Sequence, residues 1–429
     1  MDDPERWLVR RLGGGNWLNV LVESRVARLP PEQVDLVRLA AVVGPVIEPG
    51  LLVQLSGRAA DDPALLALAD EDLLFADADG GHRFKHGLTR DVIYESVGLH
   101  LRRALHLRVA QALLARSGGT SDLPHEALAY HYQGAGRPAD AAHHAEAAGD
   151  RAATSSVLDR ARSLYHLALT ELDRADPQEQ DTARWLAISD RLGLVSVFDG
   201  ARADLPVFER GVSRARALGQ PLLVARAEHS LGYVLYALGE SAACITHIER
   251  AMQAAGPGHD ALAVQIRATL GQARAAAADY SGAQPLLEEA VTIKRRHRRS
   301  GRTSVGLAYA LVCLASVEGD RGRFDRAHEL LDEAWSVVDG HGHQIGASIQ
   351  GWRSAILTWQ GRWVDAREAA QESAWIAERT RSLFQFCQGR VTAAYADWRL
   401  SGDDRFIAVA DQATGWLEPR DSGLFRSLN

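Results

Sequence analysis

Chemistry in a protein needs particular side chains at particular spacings, and this chain offers few candidates. Gly13-Gly14-Gly15-Asn16 is its first glycine-rich turn. A phosphate-binding loop needs Gly-x-x-x-x-Gly-Lys-Ser/Thr, whose lysine reaches the β- and γ-phosphates. Only Lys85 and Lys294 are lysines among 48 basic residues, and neither follows such a loop. Nucleotide hydrolysis by that route is not expected. His125-Glu126-Ala127-Leu128-Ala129-Tyr130-His131 has the look of a zinc-protease helix. That motif needs histidines four apart, whereas these are six apart, about 240° around a helix, and cannot share a metal. His143-His144 and His341-Gly342-His343 are isolated and read as solvated positions. No Ser/His/Asp or Cys/His set can be placed. Cys244, Cys313 and Cys387 lack metal-ligand spacing and read as free thiols of a reducing compartment. The expectation is a protein that is not an enzyme, with no catalytic residues, no metal and no cofactor.

Two groups of residues suit binding instead. Seven of the ten tryptophans fall between Trp335 and Trp416. Trp352 and Trp359 are seven apart and so share a helix face, with Trp363 just past the next turn. Core filling explains most such aromatics; any that face outward are candidate partner anchors, since aromatics dominate interface energetics. Lys294-Arg295-Arg296-His297-Arg298-Arg299 is the one charge run. At a helix end it complements the dipole, and Arg295 and Arg296 become candidates for an acidic partner or an anion.

Around these residues the composition is ordinary for a soluble globular protein, 46% hydrophobic and 24% charged. A formal charge of −7 makes no electrostatic case for nucleic acid or an anionic membrane. No apolar run approaches the ~20 residues that span a bilayer. Met1-Asp2-Asp3-Pro4-Glu5-Arg6 has no signal-peptide features. A cytoplasmic location is expected.

The elements that would position the candidates fall into two parts. Leu29-Pro30-Pro31-Glu32 opens a helix that Gly44-Pro45 ends. A second short helix covers Gly50–Leu55. A third runs Leu65–Leu73 after the N-cap pair Asp61-Asp62. Asp79-Gly80-Gly81 joins two short alternating segments, a hairpin signal. Three helices and a hairpin make a winged helix-turn-helix over 27–118. Its third helix carries Asp70-Glu71-Asp72 and no Arg or Lys, the wrong sign for a groove of phosphates, so DNA binding is disfavoured. Thr89 then caps a helix running to about Ala115, with Val97, Leu101, Leu105, Val109 and Leu113 as its apolar stripe.

From 119 to 429 the chain repeats. Gly193, Gly232, Gly271, Ala315 and Ser354 stand 39, 39, 44 and 39 residues apart. Seven residues after each comes a small turn residue: Gly200, Gly239, Ala278, Gly322, Gly361. Five past the turn, four units place Cys244, Ala283, Ala327 and Ala366; twelve past it stand Ala251, Ala290, Ala334 and Ser373. Two helices approach closely only where such small side chains lie between them. Tyr280, Phe324 and Trp363, two past the turn, fill the remaining gap. Gly149, Ser156, Ala161 and Ala168 fit the same register. This is the tetratricopeptide pattern at a pitch above the usual ~34 residues, and it predicts a right-handed α-α superhelix with an extended concave surface.

Phe84-Lys85-His86-Gly87-Leu88-Thr89-Arg90-Asp91-Val92-Ile93-Tyr94-Glu95-Ser96, followed by Arg102-Arg103-Ala104-Leu105-His106, resembles the wing-to-helix segment of large bacterial signal-transduction ATPases. Leu39-Ala40-Ala41-Val42-Val43-Gly44 and Leu128-Ala129-Tyr130-His131-Tyr132 are similar to that family's entry into the winged domain and its first repeat. The resemblance implies an ATPase domain, a winged-helix domain and tetratricopeptide-like repeats, often with a class III adenylate/guanylate cyclase domain. Both catalytic domains are missing here. Residues 1–26 resemble only the far end of an ATPase region, and the repeats read as truncated at the C-terminus. The resemblance also marks His86 as a candidate nucleotide sensor; closing a strand and capping the joint is its plainer role. The fold class expected is mainly α, a small winged-helix domain followed by an α-α superhelix of tetratricopeptide-like repeats. The function expected is a non-catalytic regulatory or scaffold module that binds a protein partner or a small inducer. The alternative is the sensor arm of a separate ATPase or cyclase subunit.

Overall fold

A computed structural model describes residues 16–59, 61–118, 122–196, 201–256, 261–298, 304–338 and 340–417. Residues 1–15 of the expected ATPase remnant lie outside these residues, as do Gly200, Arg299 and the segment after 417. The chain divides into two compact units, residues 1–147 with 170–177, and residues 148–169 with 178–429.

The first unit is built from α1 (Asn16–Ala27), α2 (Pro31–Val43), β1 (Val46–Ile47), α3 (Leu51–Ser56) and α4 (Pro63–Asp70). β2 (Leu74–Ala76), β3 (His82–Phe84), α5 (Gly87–Ser96), α6 (Leu99–Arg116) and α7 (His125–Gly134) follow. Pro31 starts α2, where a missing N–H costs nothing. Asp62 caps α4 by accepting from the Ala64 N–H at 2.8 Å. The three strands form an antiparallel sheet in the order β1-β3-β2, with Val46 opposite Arg83 and Leu74 opposite Phe84. Val37, Ala40, Ala41, Val42, Leu52 and Leu68 are fully buried at the centre of one core.

Four expectations for this unit are corrected. β1 was not expected, because two residues show no alternation. The third helix stops at Asp70 instead of Leu73, since Asp72 turns left-handed at φ 56°. The helix expected from Thr89 to Ala115 is two helices, broken where Val97 and Gly98 adopt extended backbone. Arg102 satisfies the carbonyl that this break exposes, donating to Val97 O at 2.9 Å. Thr89 is not the cap either: α5 starts at Gly87, with His86 in the N-cap position and no side-chain cap bond.

The second unit is helical throughout its described residues. α8 (Pro138–Thr154) and α9 (Leu158–Ala175) each contribute residues to both units; beyond them, pairs run α10 (Thr182–Ser196) with α11 (Leu205–Leu218) and α12 (Pro221–Ala237) with α13 (Ser241–Ala255). Then come α14 (Ala261–Ala276) with α15 (Tyr280–His297) and α16 (Val305–Asp320) with α17 (Phe324–Ser336). α18 (Gln344–Trp359) with α19 (Trp363–Arg379) and α20 (Leu383–Ser401) with α21 (Arg405–Gly415) complete it. From α12 to α20 each first helix packs on its own partner and on the first helix of the next pair. The expected register is present. Gly239, Ala278, Gly322 and Gly361 all turn left-handed, with φ from 61° to 77°. Cys244, Ala283, Ala327 and Ala366 are completely buried between the paired helices. The glycines of the first helices have a measurable reason: a Cβ on Gly271 would stand 2.8 Å from Leu287 Cγ.

Candidate functional site

The tryptophan-rich end holds an open apolar surface. Trp352 and Trp359 do share a face of α18, with ring centroids 6.4 Å apart at 62°. Their roles differ. Trp352 is half-buried against the core formed by α15 to α18, whereas Trp359 is 45% exposed. Trp359 lines a groove of about 470 Å³ with Tyr395 and Trp398 of α20 and Ile407 of α21. Trp363 stands outside this groove: its ring meets Tyr395 edge-on at 5.9 Å and lies under the Arg399 guanidinium at 4.3 Å. It steadies Tyr395. Phe406 lines this groove and also a second cavity of about 360 Å³, bounded by Trp375, Phe386 and Arg390. Tyr395, Trp398 and Ile407 were not singled out from the sequence, because the last repeat departs from the register that exposes the others.

The basic run is largely committed within the fold. Arg295 pairs with Glu333, its Nε donating at 2.7 Å. His297 Nδ1 lies 2.9 Å from the Ile293 carbonyl. Lys294 turns inward and donates to Gln265 Oε1 at 2.9 Å. Of the two expected anchors, Arg296 alone is exposed with its charge uncompensated among the described residues.

His86 is exposed at the start of α5. The structure brings together other histidines that the sequence left apart. His106 Nδ1 and His131 Nδ1 are 3.0 Å apart, both buried, and Tyr94 Oη lies 3.0 Å from His106 Nε2. His125 Nδ1 and His144 Nδ1 are 2.9 Å apart, and the His144 ring stacks on Tyr132. His144 is thus buried, not solvated. His341 and His343 are placed too: His341 Nε2 sits 3.2 Å from Glu372, and His343 Nδ1 accepts from the Ile345 N–H as a helix cap. Burial lowers His106 and His144 to about 4 and His131 to about 3, with the Arg90 guanidinium adding to the effect on His106 and His131. His125 and His131 face different partners, as the sixfold spacing required. No group of three or more potential metal ligands occurs among the described residues.

A polar layer inside the repeats was missed. His229, Tyr233 and Tyr236 occupy one face of α12; Gln265, Thr269 and Gln272 occupy one face of α14. Tyr309 and Cys313 extend the layer onto α16. His229 Nε2 lies 3.0 Å from Thr269 Oγ1, and its ring stacks on Tyr233. Burial pushes all three tyrosines well above the ordinary phenol range. The signal existed: polar side chains at i, i+4 and i+7 in helices that are otherwise Ala, Leu and Val. It was masked by the repeat register, which is carried by small residues on the other faces.

Neither a protein-family model nor a curated protein matches the chain. Solved structures do. A signal-transduction ATPase with numerous domains and a tetratricopeptide repeat sensor, from Pyrococcus horikoshii, is 14% identical with a TM-score of 0.41. The match covers 96% of this chain and spans 66% of that one, under two thirds of its length. A Rap protein complexed with competence and sporulation factor is 12% identical with a TM-score of 0.43, covering 92% of this chain and 99% of that one. The Rap conjugation gene regulator of plasmid pLS20, in complex with the Phr* peptide, is 14% identical with a TM-score of 0.44, covering 75% and 80%. Likeness at this level carries no argument about ligand or activity, and the readings below rest on the chain's own residues.

Proposed function

We propose that this chain is a non-catalytic regulatory module that binds a protein partner through the surface of its helical repeats. The observation that carries the reading is the groove between α18, α20 and α21. Trp359, Tyr395 and Ile407 there are each more than 40% exposed, on rigid helices and around one depression. Large apolar side chains held open to water in this way suit an apolar segment of a partner, because covering them releases about 25 cal/mol per Å².

The three helices and the β1-β3-β2 sheet of the first unit support reading 27–118 as a winged-helix platform. Its acidic segment at Asp70-Glu71-Asp72 keeps that sign, with Lys85 bonded to Asp72 at 2.6 Å, so no nucleic-acid partner is assigned. Among the described residues no helix is long and apolar enough to cross a membrane, and the three free thiols suit a reducing cytoplasm. A second reading is favoured by one observation: the exposed, uncapping His86 is available to a separate ATPase or cyclase subunit. If His86→Ala leaves nucleotide-dependent association with such a subunit unchanged, that second reading falls.

The main reading is tested by comparing the proteins retained from the source cell by wild type and by a Trp359→Ala/Tyr395→Ala double variant. A partner held by wild type and lost from the double variant, at unchanged helical circular dichroism, is the result expected. Equal retention by both proteins contradicts it.

A further inference from the structure

We infer that the aromatic groove takes a basic amphipathic segment of the partner, seating an apolar side chain between Trp359, Tyr395 and Ile407 and a Lys or Arg beside it. The inference rests on the reading of that groove as the partner site and names the chemistry of its occupant. Charge is the first observation. No residue lining the groove is charged, and the rim that α21 contributes is acidic. Asp404 stands three residues before Ile407 and Asp411 four after it, so both share its side of the helix. The Trp398 indole donates to Asp404 at 3.2 Å, which fixes that carboxylate at the groove wall. Both carboxylates are exposed, and neither has a cationic partner among the described residues. Asp403 differs, because Arg405 neutralises it at 2.6 Å. Asp404 also suits the start of α21, where a carboxylate complements the helix dipole. Asp411 has no such reason, since it stands in the second half of the same helix.

The aromatic rings supply a second, independent observation. Trp363 lies under the Arg399 guanidinium at 4.3 Å and Trp375 under that of Arg379 at 4.7 Å. Trp359 has no cation over its ring among the described residues, and an open indole face attracts a guanidinium or an ammonium. Arg399, the cation that reaches the groove wall, is already committed to Trp363 and to the Tyr395 hydroxyl at 3.2 Å. The polar lining has the same preference. Thr358 and Thr392 spend their hydroxyl protons on the Ser354 and Gln388 carbonyls, at 2.9 and 3.0 Å. What they leave for an occupant is acceptor lone pairs, which suit an N–H donor.

These features select among occupants. An acidic segment would meet two uncompensated carboxylates. A neutral apolar segment would fill the depression of about 470 Å³ but leave the rim and the Trp359 face unanswered. A basic segment satisfies both, and the formal charge of −7 on the chain adds attraction at longer range.

The test uses the full chain and the fluorescence anisotropy of three labelled amphipathic peptides. They share one pattern of Leu positions, and their polar positions are all Arg, all Gln or all Glu. The Arg peptide is expected to bind, to weaken as salt is raised, and to be lost with Trp359→Ala. Asp404→Asn/Asp411→Asn should weaken it roughly fivefold and leave the Gln peptide unaffected. Asparagine at 404 still accepts from the Trp398 indole, so the wall keeps its shape. Equal binding of the Arg and Gln peptides, or tighter binding of the Glu peptide, overturns the inference. So does binding of the Arg peptide that the double Asn variant leaves unaltered, or a failure of all three peptides to bind. A cellular partner whose retention depends on Trp359 and Tyr395 but not on the two carboxylates removes this inference and leaves the groove reading standing.

Discussion

Gly232 and Ile248 meet so closely that a Cβ on Gly232 would stand 2.6 Å from Ile248 Cδ1. Ile248 is completely buried, and protein interiors are close-packed, so the added methyl forces a shift. In an open helix Gly→Ala stabilises by about 1 kcal/mol. Here Gly232→Ala should instead destabilise by about 1–3 kcal/mol, the usual range for overpacking. Urea unfolding of the two proteins measures the sign, and a stabilised variant would show that α12 and α13 are not packed as described.

The turn that follows one repeat later predicts the opposite exchange. Ala278 sits at φ 61°, where Gly239, Gly322 and Gly361 occupy the matching positions. A left-handed alanine costs about 1–2 kcal/mol, partly offset by the added unfolded-state freedom of glycine. Ala278→Gly should therefore stabilise the protein by up to about 1 kcal/mol. Gly239→Ala, read in the same assay, should lose a similar amount.

These two positions also show what could be read from sequence. Their spacing was visible because close helix contact and left-handed turns each exclude most residue types, so the pattern recurs in one-dimensional order. The first unit was legible through its prolines, its Asp62 cap and its Asp-Gly turn. Where no strong local signal exists the reading failed: β1 is two residues long, and the break at Val97-Gly98 is stabilised by Arg102, five residues ahead. The site was legible only in part. Trp359 could be placed on a face with Trp352, but which of the two faces water depends on α20 and α21. The pairing of His106 with His131 depends on α6 meeting α7, which no spacing records.

That histidine pair makes stability depend on pH. His106 titrates near 6.5 when unfolded and at about 4 when folded, so the unfolded chain binds more protons between those values. Stability is then fully present above pH 6.5 and is lost as pH falls toward 4. Between pH 8 and pH 5 the loss from His106 alone is on the order of 2 kcal/mol. Urea midpoints followed through Tyr94 and its neighbours should fall across this window. A flat profile from pH 8 to pH 5 would mean that these imidazoles are already hydrated.

The cysteines should be silent. Cys244 is fully buried and Cys313 nearly so, and burial pushes both thiols up to about 12. The thiolate is the reactive form, so neither should react with a thiol-specific reagent at pH 8 before unfolding. Denaturant should release both at once with the helical signal. Rapid native labelling of Cys313 would indicate that the polar layer around it is open to water.

The account turns on the groove that Trp359, Tyr395, Trp398 and Ile407 surround. Hydrogen exchange of the full chain, alone and with a retained partner, tests it most directly. The account predicts added protection concentrated in α18, α20 and α21, with α2 to α4 unchanged. Protection that leaves these three helices untouched, or that falls on the first unit instead, would contradict it.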